Sequence, residues 1–255
     1  MNKNLLTRCL EDLEKRIDPE QEAKLEADWK NFLAGSFKGD VFIPKRSHIA
    51  KASFEWPQVH INDALEDFES MAIDQLKNCS HWLSGTEGSL LCVRANYGTS
   101  IMPSIFGAEL FVMARETPCL PTTIPIPGGS DGIKKLLEKG IPDLETGQGK
   151  LIFETSRRFV ELFEPYPKIK RFVHIYHPDF QGPMDVCELL WGSEIFLGAY
   201  EEPELLKNIL TLVTDTYELA MNRWLSIVPR KKELAGHAIH WSMMHKGTIM
   251  LRDDS

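Results

Sequence analysis

Leu6, Cys9, Leu13 and Ile17 repeat at the spacing of one helix face and Pro19 follows as a stop, so the chain opens on a predicted amphipathic helix. A second helix is predicted over 20–33, closed by Gly35. Residues 36–62 carry Gly39, Pro44 and Pro57 among aromatics and read as irregular. Leu65, Phe68, Ala72 and Leu76 then mark a third helix, so residues 1–84 form a helical and irregular preface without a strand. The pattern changes at 88–98, a short apolar run ending in Arg94, Asn96, Tyr97 and Gly98, which reads as a buried strand opening into a loop.

Further strands are predicted at 122–126, at 171–177 and, last, at 248–252. Between them Ile152, Thr155, Phe159 and Leu162 mark a helix that stops at Pro165. A longer one starts at Pro203 and carries Leu206, Leu210, Val213, Tyr217, Ala220 and Trp224 on one face. Strands separated by long helical stretches imply crossovers and a mostly parallel sheet. No GxGxxG follows the first strand, which favours a barrel of the (β/α)8 type over a doubly wound dinucleotide fold. A chain of 255 residues suits one such barrel. The preface leaves only about 170 residues and four strands, however, and each unit needs roughly 30. The expectation is therefore an incomplete α/β barrel over 85–255 behind an N-terminal helical extension over 1–84.

Composition narrows the function classes. With 29 basic against 37 acidic side chains, a net charge of −8 and no basic run, the chain is a poor match for a nucleic-acid binder held by phosphate contacts. Its five cysteines are scattered, without a CxxC pair, and read as reduced thiols of a cytoplasmic protein. Acidic residues arrive by Glu11, before any apolar core of a secretory signal, and no apolar run is long enough to span a bilayer. Neither nucleic acid nor membrane is expected as a partner.

In a parallel α/β fold the ligand lies beyond the carboxyl ends of the strands. Arg94, Asn96 and Tyr97 stand after the first strand, His177, Asp179 and Gln181 after the third, and Asp253, Asp254 and Ser255 after the last. Arg94 suits a substrate carboxylate, or else pairs with a structural acid such as Glu109. His177 beside Asp179 suits acid–base work, the alternative being a loop histidine bonded to backbone. Asp254 faces the barrel mouth or bonds to the next loop. Asp185 at the start of a helix opened by Pro183 is a plain stabilising charge, or else the amides there hold an anion. His237, His240 and His245 are the only histidine cluster; their spacing fits no standard zinc pattern, leaving His240 and His245 as weak metal candidates.

These residues together resemble the uroporphyrinogen decarboxylase superfamily. The resemblance rests on Asn96-Tyr97-Gly98 running into Pro103-Ser104-Ile105-Phe106-Gly107-Ala108-Glu109, and on the block from His177 through Gln181-Gly182-Pro183-Met184-Asp185 to Trp191-Gly192. It continues through Tyr200-Glu201-Glu202-Pro203-Glu204-Leu205 and from Gly247 to Ser255, covering roughly the last 160 residues. It implies an α/β barrel that often forms homodimers, with its pocket at the strand carboxyl ends. It also implies carboxy-lyase chemistry on a carboxylated small molecule without a cofactor, with Asp254, His177 and Asp179 as catalytic groups and Arg94, Asn96, Tyr97, Gln181 and Ser255 around the substrate. The family's essential aspartate matches Gly98 and one of its tyrosines matches Leu189, so the porphyrinogen itself is not implied. Zinc-dependent methyltransferases that use a corrinoid partner belong to the same superfamily, but their His-x-Cys zinc ligands lie in a region later than Ser255. A third expectation is a truncated barrel without catalysis of its own that needs a partner chain.

Overall fold

The first predicted helix is α1 (Lys3–Arg16) of the computed structural model, which describes residues 3–247; Leu6, Cys9, Leu10 and Leu13 of its apolar face are buried, with Ile17 just beyond it. Pro19 does more than end it. Asp18 accepts hydrogen bonds from the amides of Glu20 and Gln21, and Pro19 occupies the first turn of α2 (Pro19–Leu33). That helix closes with the amide of Gly35 bonded to Phe32 O and that of Ser36 to Asn31 O, a pairing that needs the positive φ of 74° at Gly35. The predicted third helix is two, α3 (Ile61–Glu66) and α4 (Phe68–Leu83), split at Asp67, whose extended backbone lets its carboxylate cap Ser70 N.

After β1 (Cys92–Val93) come α5 (Ile101–Ile105), β2 (Glu109–Phe111), β3 (Thr122–Ile124), α6 (Gly129–Lys139), α7 (Gly149–Phe163), α8 (Pro167–Phe172) and β4 (His174–Ile175). The chain continues with α9 (Pro183–Trp191), α10 (Ile195–Glu201), α11 (Pro203–Ile227), β5 (His237–His240) and β6 (Met243–Lys246). The fold is mixed α/β, and among the described residues the strand pairing is less parallel than expected. The described residues hold three two-stranded sheets, of which only β1–β4 is parallel, while β2–β3 and β5–β6 are antiparallel, and no closed sheet is formed among them. The physical reason lies in β2, β5 and β6, whose apolar pattern is too short to read and whose connections are local. The strand expected over 171–177 shrinks for a different reason. Pro167 opens a helix that carries through Arg171 and Phe172, and Val173 N still bonds Ile169 O. The strand expected over 248–252 lies outside the described residues.

The chain divides into two compact units, one of residues 3–94, 156–176 and 230–247, the other of 95–155 and 177–229. In the first, Asp12 ties the irregular stretch to α1: one carboxylate oxygen accepts from Ser53 N and Oγ, the other from Arg16 and from Trp56 Nε1. Arg16 reaches on to Ser80 O, Ser84 Oγ and Ala50 O. Leu25, Leu90, Cys92, Tyr176, Leu234, Ile239 and Met244 pack together as the core around β1 and the β5–β6 hairpin.

In the second unit α9 and α11 pack together, with α6 and α10 against α11. Along α11 the core takes Leu205, Ile209, Val213, Tyr217, Ala220 and Trp224, while Leu206 and Leu210 of the predicted stripe are only half-buried. Gly147 has φ +53°, and a Cβ there would run into the Ser104 carbonyl. Gly147→Ala is therefore expected to destabilise the protein by about 1–3 kcal/mol in urea unfolding, from left-handed strain plus the clash.

Candidate functional site

The parallel pair fixes where the predicted groups begin. His174 N bonds Leu91 O at 2.8 Å and Tyr176 N bonds Val93 O at 3.0 Å, so β1 and β4 end in register, one at Arg94 and the other at Tyr176. Arg94 is buried, and its amide donates to Gln75 Oε1 at 3.2 Å. Its guanidinium carbon sits 5.6 Å from the ring centre of Tyr176 and 5.3 Å from that of Trp241. Ring faces attract the cation through their quadrupole.

Trp241 reaches that position through a backbone that its residue type disfavours. Trp241 and Ser242 form the two-residue loop between β5 and β6, both at positive φ, 48° and 64°. Such loops normally carry Asn-Gly or similar pairs. The turn is latched by Leu90 N donating to Ser242 O at 2.8 Å and by Ser242 Oγ lying 3.5 Å from Cys92 Sγ. A strained turn held open by its surroundings is a common mark of a functional position. His240 packs edge-on to Tyr176 with centres 5.3 Å apart, and its ring lies 6.5 Å from that of His245. His237 is turned to its own backbone, with Nδ1 at 3.1 Å from Ala235 O. Among the described residues no group of three or more His, Cys, Asp or Glu side chains is placed to hold a metal ion.

The remaining predicted residues lie in the second unit. Asn96 is half-buried, and the hydroxyl of buried Tyr97 meets Thr155 Oγ1 at 3.0 Å. His177 is buried; Nδ1 lies 2.8 Å from Pro178 O and must be the donor, since a carbonyl only accepts, which leaves Nε2 as the basic nitrogen. Its ring stacks on Phe180 at 6.4 Å and meets Trp224 edge-on at 6.2 Å. Asp179 accepts from Gln181 Nε2 at 2.6 Å, and Gln181 holds a left-handed φ of 57°. Burial, with the charge of Asp179 adding to it, pushes the Tyr217 phenol up to about 12. Asp185 stands buried in the first turn of α9, which has no side-chain cap. Asp253, Asp254 and Ser255 lie outside the described residues.

Sequence reasoning missed a buried charge cluster in the first unit. Arg171 grips Glu26 with two bonds of 2.8 and 2.7 Å, and His174 Nε2 approaches the same carboxylate at 3.3 Å. Lys231 Nζ donates to Arg171 O at 2.9 Å and Val173 O at 3.1 Å. Burial would raise the Glu26 carboxyl, but hydrogen bonds from His174 and Arg171 outweigh it and hold it at about 2. Burial, then the charge of Lys231, lowers His174 to about 4; burial, then the charge of Arg171, lowers Lys231 to about 7. One signal was present: Glu22 and Glu26 flank Leu25 on the buried side of α2, where acids need partners.

No helix among the described residues is long and apolar enough to cross a membrane. Compared with known proteins, the chain finds no match in any protein-family description, among curated proteins or among solved structures.

Proposed function

We propose that this chain is an enzyme of the uroporphyrinogen decarboxylase superfamily, acting on a small carboxylated substrate by carboxy-lyase chemistry within a (β/α)8-type framework. The observation that supports it most is Arg94: a buried guanidinium at the carboxyl end of a parallel strand, flanked by Tyr176 and Trp241, the latter carried on a strained turn. The two rings hold the cation at the strand end, and a guanidinium fork is the side-chain group that matches a carboxylate bidentately.

In this reading Arg94 holds one substrate carboxylate while the C–C bond to a second carboxyl group breaks. Carbon dioxide leaves, the electron pair stays on carbon, and a proton from an acid replaces the lost group. From the sequence, the candidates for the acid and its support are His177, Asp179 and Asp254, and those for polar substrate contacts are Asn96, Tyr97, Gln181 and Ser255. A second reading, a module that completes its sheet only with a partner chain, draws support from the single parallel strand pair among the described residues.

The test is ligand-induced thermal stabilisation by benzoate, succinate and uroporphyrin, followed by carbon dioxide release from whichever carboxylates bind. At least one should raise the Tm of the native chain, and Arg94→Lys should weaken that ligand by about tenfold or more, the worth of a charged bidentate contact. Equal affinity in Arg94→Lys, or no shift with any carboxylate, would overturn the reading.

A further inference from the structure

Residues 36–43 follow the end of α2 and carry an apolar surface that the rest of the first unit does not cover. Phe42 turns inward, stacked on Phe32 with ring centres 4.3 Å apart and planes 7° apart, and edge-on to Trp29 at 5.0 Å. Phe37 completes the group, 5.4 Å from Phe42 and 6.1 Å from Phe32. With Phe42 turned in, its neighbours are held out: Val41 is 69% and Ile43 65% exposed, and Phe32 and Phe37 add 41% and 39% at the edge of the stack. Branched aliphatic side chains side by side in water are unfavourable unless something covers them.

The base of this projection is fixed, so the tip does not simply fold back. Gly88 N donates to Pro44 O and Arg46 N to Thr86 O, both at 2.9 Å, so that the backbones of Lys45 and Glu87 pair as an antiparallel bridge. Gly88 is needed there, because a Cβ would collide with the Pro44 carbonyl. Trp29 Nε1 bonds Gly88 O at 3.1 Å and pins the aromatic stack to the same point.

Charge identifies the cover. The chain as a whole carries −8, yet the exposed charged residues of 36–51 are Lys38, Lys45 and Lys51 against Asp40 alone. Exposed aromatic and branched apolar side chains interspersed with and followed by lysines in the sequence match the boundary of an anionic bilayer, where apolar groups enter the acyl edge and ammonium groups meet lipid phosphates and carboxylates. We propose that residues 36–51 are a docking surface for an anionic membrane, seated by Phe37, Val41 and Ile43 and steered by Lys38, Lys45 and Lys51. It concerns attachment to a surface, not a span, and stands apart from the Arg94 reading.

The experiment is co-sedimentation of the full chain with vesicles of phosphatidylcholine alone and with about 30% phosphatidylserine. Binding should require phosphatidylserine and fall in about 0.5 M salt, where surface charge is screened. The double variant Val41→Glu/Ile43→Glu should lower the partition coefficient at least about tenfold while leaving the Tm unchanged, since both side chains are already in water. Lys38→Glu/Lys51→Glu should weaken binding to a similar degree. Three results would overturn the proposal: no sedimentation with either vesicle, equal binding by the variants, or self-association of the native chain that disappears in Val41→Glu/Ile43→Glu, which would assign the patch to a second copy.

Discussion

Replacing Arg46 by alanine is expected to remove about 3–5 kcal/mol of stability, the range for breaking one partner out of a buried ion pair. Arg46 and Glu22 are each only 2% exposed. Nε and Nη2 of Arg46 meet the two carboxylate oxygens of Glu22 at 2.8 Å each. The same guanidinium donates to Glu87 O at 2.6 Å and Ser89 O at 2.7 Å. Alanine therefore strands a carboxylate with no counterion and takes a donor from each of two carbonyls, in a place where water cannot replace them. Lysine would not rescue the loss, because one ammonium cannot serve a carboxylate and two carbonyls in the plane of a fork. Urea unfolding is the measurement. Glu22→Gln should cost less than Arg46→Ala, and Arg46→Met/Glu22→Leu less than the two single losses added together, the sign of direct coupling. A loss below about 1 kcal/mol for Arg46→Ala would mean that the pair is hydrated in solution.

Much of the helical content was legible because it is local. The stripes of α1, α7 and α11 depend on residues within a few turns of one another, whereas Pro19, read as a stop, also opens α2 behind the Asp18 cap. Even there, period alone did not choose between Leu205–Ile209 and Leu206–Leu210, since adjacent apolar residues fit the same period on two faces. The β5–β6 hairpin was illegible because its turn is Trp241-Ser242, and neither residue announces a positive φ. The helical start of the expected 171–177 strand shows the opposite failure: Phe172 and Val173 suit either state, and Pro167 decided for helix. Return of 156–176 and 230–247 to the N-terminal residues is a matter of long-range packing that no local pattern encodes. Candidate chemistry followed the same division. Arg94 was visible as a strand-end cation, but its flanking rings come from two distant segments. The two-residue spacing of His177 and Asp179 suggested acid–base work, but the spacing did not show that Pro178 O accepts from His177 or that Gln181 donates to Asp179. Glu26, the Arg171–His174 segment and Lys231 meet from three separated stretches, so their pairing could not be read at all.

That cluster is expected to make stability climb with pH in steps that can be removed one at a time. Glu26 is held at about 2 against an ordinary 4.5, so its contribution is complete above pH 4.5 and is lost as pH falls from there toward 2. At about 1.4 kcal/mol per unit, the loss is of order 3 kcal/mol. His174 is lowered from 6.5 to about 4 and Lys231 from 10.5 to about 7. Both are bases that bind their proton less readily when folded, so between the two values the unfolded chain carries more protons and stability rises with pH. Glu26 thus accounts for the rise between pH 2 and 4.5, His174 for that between 4 and 6.5, and Lys231 for that between 7 and 10.5. The urea midpoint measured from pH 3 to 10 should follow that course in the native chain. Glu26→Gln should flatten the acid limb, and Lys231→Met the alkaline one, whatever each does to stability at pH 7. The slopes are the decisive reading, because Lys231→Met also leaves Arg171 O and Val173 O without their donor and so shifts the whole curve. An alkaline rise that survives in Lys231→Met would show that the lysine keeps its proton inside the fold, with Glu26 and Glu233 outweighing burial and the neighbouring Arg171.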